Sequence, residues 1–173
     1  MHLPDNQLAM TTLPAQLQGL ATHLDPTIKA LTASCPSLKI LSPTDPDWPT
    51  VRETFISTSS VTPLAIVRPA SGAEVAQIVK FAISHDVPFT VRAGGHELYG
   101  RNVEAGALMI DLREIKHVRV SEDRSYAFVG TGIACSALAT ELSKEELITP
   151  FSVIPSVGLG WSMIGGYSFI GSK

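Results

Sequence analysis

The chain has 173 residues, of which 45% are hydrophobic, and its 13 basic and 16 acidic residues give a formal net charge of −3. This length is typical of about one domain, and the apolar fraction permits a buried core and excludes general disorder. The charges form no block of one sign, so we expect no nucleic-acid partner.

The amino-terminal residues do not have the pattern of a targeting segment. Residues 1–7 lack a cationic start followed by an apolar run, so no signal peptide is visible. No apolar run approaches the roughly 18 residues that cross a bilayer. We therefore expect an intracellular, cytoplasmic protein without a membrane partner, and secretion would need a further segment. Cys35 and Cys135 fit neither a metal knuckle nor a disulfide framework and are expected to be buried thiols.

Residues 1–45 are predicted to be an N-terminal extension with short helices at 13–24 and 27–33, separated by Pro26. Residues 46–173 are predicted to form the organised domain. A helix entry at 45–49 would place Val51 and Phe55 on one helix face.

The organised domain is predicted to be α+β, with a βαβ start followed by mixed strands. Ser71 and Glu74 form a capping-box pattern, followed by an apolar stripe at helical spacing up to about Ser84. A strand, a helix and a strand joined by short connections favour a parallel pair. The predicted elements are strands at 64–67, 88–92 and 108–112, a hairpin of 118–120 and 126–129 around the turn 121–124, and a helix at 134–142.

The first segment that can carry chemistry is the histidine loop, residues 92–102, which directly follows a predicted strand. Its adjacent glycines, Gly94 and Gly95, allow positive φ and a close approach of backbone N–H groups to an anion such as a pyrophosphate. Arg92 or Arg101 could add positive charge, although either could equally be a solvated loop arginine.

His96 lies just after this double glycine. A neutral imidazole nitrogen can act as a nucleophile, a base or a ligand, whereas many lone loop histidines are only structural or solvent-exposed. No other histidine stands at metal-ligand spacing from His96, so no metal site is expected.

The second segment is the glycine-rich segment, residues 155–168, which is nearly uncharged and suits close approach of main chain to a flat ligand. Met163 replaces the third glycine of a Rossmann fingerprint, and Ile170 replaces the last glycine of a nucleophile elbow. A Rossmann site and a serine hydrolase are therefore disfavoured. The third segment is the glycine turn, residues 129–133, which could equally be a plain turn.

These segments, in this order, resemble the FAD-binding module of the vanillyl-alcohol oxidase and p-cresol methylhydroxylase (PCMH) superfamily, particularly its berberine bridge enzyme-like branch. The resemblance covers about residues 64–173. Arg92-Ala93-Gly94-Gly95-His96 is similar to the family's Arg-Ser/Ala-Gly-Gly-His signature. The implied fold is a PCMH-type FAD-binding domain that is incomplete at its C-terminus and stops before the substrate domain.

The resemblance implies an FAD cofactor and, at the position of His96, covalent attachment to the flavin 8α-methyl. It also implies hydride transfer from a small-molecule substrate to FAD and reoxidation by dioxygen. The substrate stays open, because family substrates range from alcohols and sugars to intermediates of specialised metabolism. No catalytic base is assigned. The expected cofactor-binding residues are Arg92, Ala93, Gly94, Gly95, His96, Gly100, Gly132, Gly158 and Gly160.

Departures from the family pattern leave alternatives open. Ile154 stands where bicovalent relatives have a cysteine, so a second thioether is not expected. Ile164 interrupts a glycine triplet, and relatives continue beyond Lys173 with a substrate domain. The chain is therefore expected to be part of an FAD-linked oxidoreductase, with a truncated, non-catalytic flavin-binding remnant as the alternative. An interaction protein without a cofactor is the third hypothesis.

Overall fold

The computed structural model describes residues 25–55 and 60–160. The helix predicted at 13–24 lies outside these residues, as do Ile164 and the rest of the glycine-rich segment beyond residue 160. The described elements are α1 (Pro26–Ser34), β1 (Lys39–Leu41), α2 (Trp48–Arg52), β2 (Ala65–Arg68), α3 (Gly72–Ser84), β3 (Phe89–Arg92), β4 (Leu108–Asp111), a 3-10 turn (Leu112–Glu114), β5 (Val118–Val120), β6 (Ala127–Val129) and α4 (Cys135–Ser143).

A four-stranded sheet in the order β1-β2-β4-β3 forms the centre of the described structure. β2 and β3 are both parallel to β4, and β1 is antiparallel to β2. The parallel direction expected from the βαβ pattern is confirmed, but β2 and β3 do not pair directly. β4 lies between them, and this central position buries all four of its residues, whereas the edge strand β3 exposes alternate residues to solvent.

The main core lies between this sheet and the helices α1 and α3. The helix α3 begins as the capping pattern predicts, since the backbone N–H of Glu74 donates to the Ser71 hydroxyl at 3.2 Å. The Glu74 carboxylate accepts from the backbone N–H of Ala70 at 2.7 Å. The fully buried or nearly buried members of this core are Ile28, Leu31, Cys35, Leu38, Ala65, Val67, Ile78, Phe81, Leu108 and Ile110.

The described part of the predicted extension shares this core. Ile28 and Leu31 of α1 are buried in it, and β1 pairs with β2 from Lys39↔Arg68 to Leu41↔Ile66. The packing therefore continues across the expected division near residue 45.

The helix entry before Trp48 leads into a much shorter helix than the sequence pattern predicts. α2 ends at Arg52, and Glu53 has extended backbone angles, with φ −60° and ψ 132°. The expectation that Val51 and Phe55 share a helix face is therefore wrong. The physical reason is that the Arg92 guanidinium binds the carbonyl oxygens of Val51 and Glu53, which a continuing helix would need for its own hydrogen bonds.

A second, smaller core lies under the hairpin. β5 and β6 pair antiparallel as predicted, with Val118 opposite Val129, and Ile133, Leu138 and Leu142 pack against them from the region of α4. Both cysteines are free and buried, as expected. None of the helices in residues 25–55 and 60–160 is long and apolar enough to cross a membrane.

Candidate flavin site

The histidine loop contacts the described part of the glycine-rich segment, residues 155–160, through the backbone. A Cβ atom added to Gly94 would overlap the backbone nitrogen of Gly158 and would lie 2.8 Å from the carbonyl oxygen of Ser156. A Cβ atom on Gly158 would in turn overlap the backbone nitrogen of Gly94 and approach the Cβ of Ala93 to 2.9 Å. Only residues without side chains allow this contact, which explains why both segments need glycine here.

The glycine turn joins the same junction. The backbone N–H of Gly160 donates to the carbonyl of Thr131 at 3.3 Å, and Gly158 forms an isolated bridge with Ala134. A Cβ on Gly132 would overlap the carbonyl oxygen of Leu112, directly after β4. The turn is therefore a packing element that connects the end of β4 to the glycine-rich segment.

This junction forms at one edge of the sheet. The histidine loop follows β3, and the 3-10 turn that contacts Gly132 follows β4, which runs parallel to β3. In sheets of this type, ligands bind beyond the carboxyl ends of parallel strands. The fold thus brings the histidine loop, the glycine turn and residues 155–160 of the glycine-rich segment to the edge where a cofactor is expected.

His96 is partly buried where the histidine loop meets the glycine-rich segment. Its Nε2 lies 2.9 Å from the Ser156 hydroxyl oxygen, and its ring stacks on Phe55 with centroids 4.5 Å apart and planes 19° from parallel. Burial lowers the pKa of His96 below its ordinary value, because desolvation disfavours the imidazolium. The ring is therefore held largely in the neutral form, in which one nitrogen has a free lone pair.

The histidine loop has its own internal support. Gly95 and Gly100 adopt positive φ angles of 76° and 73°, which favour glycine. The Glu97 carboxylate accepts from the backbone N–H groups of Tyr99 at 3.0 Å and Arg101 at 2.6 Å, and it pairs with the Arg101 guanidinium at 2.9 Å. Arg101 is thus an exposed residue that holds the loop, and a contact of Arg101 or Gly100 with FAD stays a prediction.

The Arg92 side chain packs against Gly95 of the histidine loop. Its side chain is buried, and its terminal nitrogens donate to the carbonyl oxygens of Val51 and Glu53. Burial first, and then the positive charge of Arg113, lower the pKa of Arg92 to about 10. The guanidinium still remains charged at neutral pH. Its Nε is buried without a hydrogen-bond partner among the described residues and lies beside the position of Gly95.

A buried carboxylate that sequence reasoning missed connects β2 to the end of β4. Asp111 is fully buried and binds Arg68 at 3.0 Å and Arg113 at 2.8 Å. Burial alone would raise the pKa of Asp111, but the hydrogen bonds and charge of Arg113, together with the charge of Arg92, hold it below its ordinary value. An Asp-Leu strand end in the sequence was the only available signal, and it does not indicate which arginines meet the carboxylate.

Ser156 and Phe55 were also missed as neighbours of His96. They lie 60 and 41 residues away in sequence, so no local pattern places them beside the ring.

The residues of the site fit a flavin dinucleotide in two respects. Glycines keep side chains out of the junction, and a neutral imidazole stands at its margin. Within the described residues, no group of three or more His, Cys, Asp or Glu side chains could hold a metal ion.

Comparison with known proteins identifies the class. Residues 63–171 match the family model described as an FAD binding domain. The FAD-linked oxidoreductase aurO of Gibberella zeae is 34% identical over 146 residues, which are 84% of this chain and 28% of aurO. This chain therefore belongs to the FAD-binding domain family, and it spans about 28% of the length of that curated relative.

Solved structures narrow the class further. A berberine bridge enzyme-like protein of Physcomitrella patens, in its D396N variant, matches with a TM-score of 0.73 at 25% identity, covering 83% of this chain and 31% of the other. Glucooligosaccharide oxidase from Acremonium strictum, which carries a 6-S-cysteinyl, 8α-N1-histidyl FAD, matches with a TM-score of 0.73 at 26% identity, covering 83% and 30%. The chain is thus a relative of FAD-linked oxidoreductases that include berberine bridge enzyme-like proteins, and the expected PCMH-type fold and FAD cofactor are confirmed.

Proposed function

We propose that the junction of the histidine loop, the glycine-rich segment and the glycine turn holds FAD, and that His96 is the residue attached to the flavin. The observation that carries the proposal is the position of His96, which is partly buried beside the backbone contact of Gly94 with Gly158. The proposed lining comprises Arg92, Ala93, Gly94, Gly95, His96, Gly100, Gly132, Gly158 and Gly160.

Within this site the protein residues bind and orient the cofactor. The glycines let the main chain approach a flat ligand, and the buried charge of Arg92 adds positive potential beneath the loop. His96, with its lowered pKa, offers a neutral nitrogen for a bond to the flavin 8α-carbon. The bound flavin would supply the redox chemistry, by accepting a hydride from a substrate.

The activity we propose is oxidation of a small organic molecule with dioxygen as the final electron acceptor. Relatives and neighbours include a glucooligosaccharide oxidase, a chitooligosaccharide oxidase and (R)-6-hydroxynicotine oxidase of Paenarthrobacter nicotinovorans. These names support an oxidase and extend over sugar and nitrogen-heterocycle substrates. A place in specialised metabolism belongs to the same proposal.

The second candidate is a flavin-binding chain without turnover, descended from such an enzyme. It is favoured by the observation that this chain matches 28% of aurO, so most of that relative has no counterpart in these 173 residues. The candidates share the FAD site and differ in the presence of a substrate pocket. Reduction of the bound flavin by substrates of the relatives would separate them.

The test of the FAD site is flavin fluorescence that stays with the protein band on a denaturing gel after expression with FAD. We expect a fluorescent band for the wild type and for His117→Ala, a matched control that removes an exposed histidine elsewhere in the chain. The band should be dark for His96→Ala. A dark band for folded wild-type protein would contradict covalent attachment. Equal fluorescence in His96→Ala would contradict the assignment of His96.

A further inference from the structure

Ser156 approaches His96 from a different part of the chain. The Ser156 hydroxyl oxygen lies 2.9 Å from His96 Nε2, although 60 residues separate them. The main chain of Ser156 is itself fixed at the junction, since its carbonyl oxygen lies 2.8 Å from where a Gly94 side chain would begin. The hydroxyl is therefore supplied by a segment whose position depends on the same backbone contact that forms the site.

Phe55 fixes the ring from a second direction. It stacks on His96 with 4.5 Å between centroids, and its backbone N–H donates to the carbonyl of Gly95 at 2.9 Å. One face of the imidazole is thus covered and its Nε2 edge is occupied. Among the described residues, Nδ1 of His96 has no hydrogen-bond partner, so this is the nitrogen available to a ligand.

We propose that Ser156 is the positioning residue for flavin attachment: it accepts a hydrogen bond from His96 Nε2–H and thereby holds the imidazole with an unprotonated, accessible Nδ1. The proposal rests on the proposed function of His96. A histidine with one ring nitrogen hydrogen-bonded as a donor presents the lone pair of the other nitrogen to its reaction partner. Ser156 has no charge of its own, so it holds the tautomer while raising the proton affinity of the ring less than a carboxylate would.

The chemistry of attachment uses this arrangement. A bond forms between Nδ1 and the flavin 8α-carbon as one C–H bond of the 8α-methyl breaks and releases its proton. The ring becomes an imidazolium, whose Nε2–H bond to the Ser156 hydroxyl strengthens with the charge, and it then loses the Nε2 proton. The bound flavin would pass the two electrons to dioxygen, the oxidant, and the two released protons would complete hydrogen peroxide.

The first measurement reads His96 without flavin. Long-range ¹H–¹⁵N correlation spectra of the full chain distinguish a protonated from an unprotonated ring nitrogen, and His96→Ala assigns the signals. We expect proton on Nε2 and a free lone pair on Nδ1 in the wild type. A proton on Nδ1 of the neutral ring would overturn the proposal.

The second measurement is the rate at which the protein attaches FAD covalently during incubation with FAD, followed by in-gel fluorescence. The affinity for FAD is measured as well, before the covalent bond forms. Ser156→Ala should slow attachment about fivefold or more, the size expected for one lost hydrogen bond, and leave initial FAD affinity unchanged within about twofold. Ser156→Thr, which keeps a hydroxyl, should attach FAD within about twofold of wild type. Ser143→Ala, which removes an exposed hydroxyl on α4, is the matched control.

The outcomes separate the two proposals. Attachment by Ser156→Ala at the wild-type rate would overturn the role of Ser156 and leave His96 as the attachment residue. Failure of folded wild-type protein to attach FAD would instead refute the proposed function, while a comparison of the ring-nitrogen spectra of wild type and Ser156→Ala would still report whether Ser156 sets the tautomer. Amide spectra of each variant establish that it is folded, and Ser156→Thr provides the test if Ser156→Ala is not.

Discussion

Asp111 holds together the residues on which the site rests. Its carboxylate joins Arg68 of β2 to Arg113 of the 3-10 turn, and Arg113 also donates to the carbonyl of Val51 at 2.8 Å. Gly132 packs against the same turn. Asp111 is fully buried and its two arginine partners are partly buried, so loss of the carboxylate charge leaves both guanidinium groups without their compensating charge.

We predict that Asp111→Asn lowers the free energy of unfolding by about 3 kcal/mol at pH 7, because Arg68 and Arg113 lose the compensating charge. Glu114→Gln, which affects the more exposed partner of Arg68, should cost less than about 1 kcal/mol. Urea unfolding measures both. Equal losses in the two variants would show that burial of the carboxylate is unimportant.

The pH dependence of that difference follows from the lowered pKa of Asp111. A depressed folded-state pKa gives stability that is present above the unfolded value, about 3.9, and lost as pH falls through the folded value. The difference between wild type and Asp111→Asn should therefore be constant above about pH 5 and shrink below about pH 4. A difference that grows on acidification would contradict the assigned direction.

At the level of elements, the site depends on backbone contacts between segments that are far apart in sequence. Gly94, in the loop after β3, contacts Gly158 near the end of the described residues. Gly132 contacts the 3-10 turn that follows β4. The loops therefore form one unit, in which a side chain added to one segment displaces another. Tight contacts of this kind tolerate little added volume.

Gly94→Ala should consequently weaken FAD binding by at least about tenfold and reduce the free energy of unfolding by about 1–3 kcal/mol. Gly72→Ala is the matched control, because a Cβ at Gly72 meets nothing within 4 Å at the start of α3. It should preserve FAD affinity and stabilise the chain by up to about 1 kcal/mol. Fluorescence titration with FAD measures the affinity. Wild-type affinity in folded Gly94→Ala would show that the junction does not form the site.

Local patterns were sufficient for several elements. The capping pair Ser71 and Glu74 predicted the start of α3, and the alternation around residues 121–124 predicted the hairpin. The insertion of β4 between β2 and β3 could not be read locally, because a buried strand has the same apolar pattern in either position. The early end of α2 was missed for a similar reason, since the carbonyls that end it are bound by Arg92, which is 39 residues from Glu53.

In the candidate site, too, local patterns predicted some features, while others depend on residues that are distant in sequence. The double glycine of the histidine loop and the spaced glycines of the other segments indicated a close approach of backbone, and the structure brings those segments together. The partners of His96, Ser156 and Phe55, come from distant segments and depend on the completed fold. A role for each predicted residue in binding FAD stays a prediction that the variants above address.

For the whole molecule, the arrangement is a sheet with its glycine-bearing loops gathered beyond the carboxyl ends of β3 and β4. Residues 63–171 belong to the FAD-binding domain family, so the cofactor site is expected within this fold. The chain matches 28% of aurO, and the substrate is to be identified by experiment. We therefore expect the full chain to bind FAD at this edge and to attach it through the partly buried imidazole of His96.

Peptide mapping tests the attachment through His96 most directly. Trypsin cleavage after Arg92 and Arg101 isolates a nine-residue peptide, residues 93–101, in which His96 is the single histidine. After incubation of the full chain with FAD, mass spectrometry should find the flavin adduct on this peptide, with fragmentation assigning it to His96. A flavin-free peptide from folded, FAD-saturated protein, or an adduct on another peptide, would contradict the account.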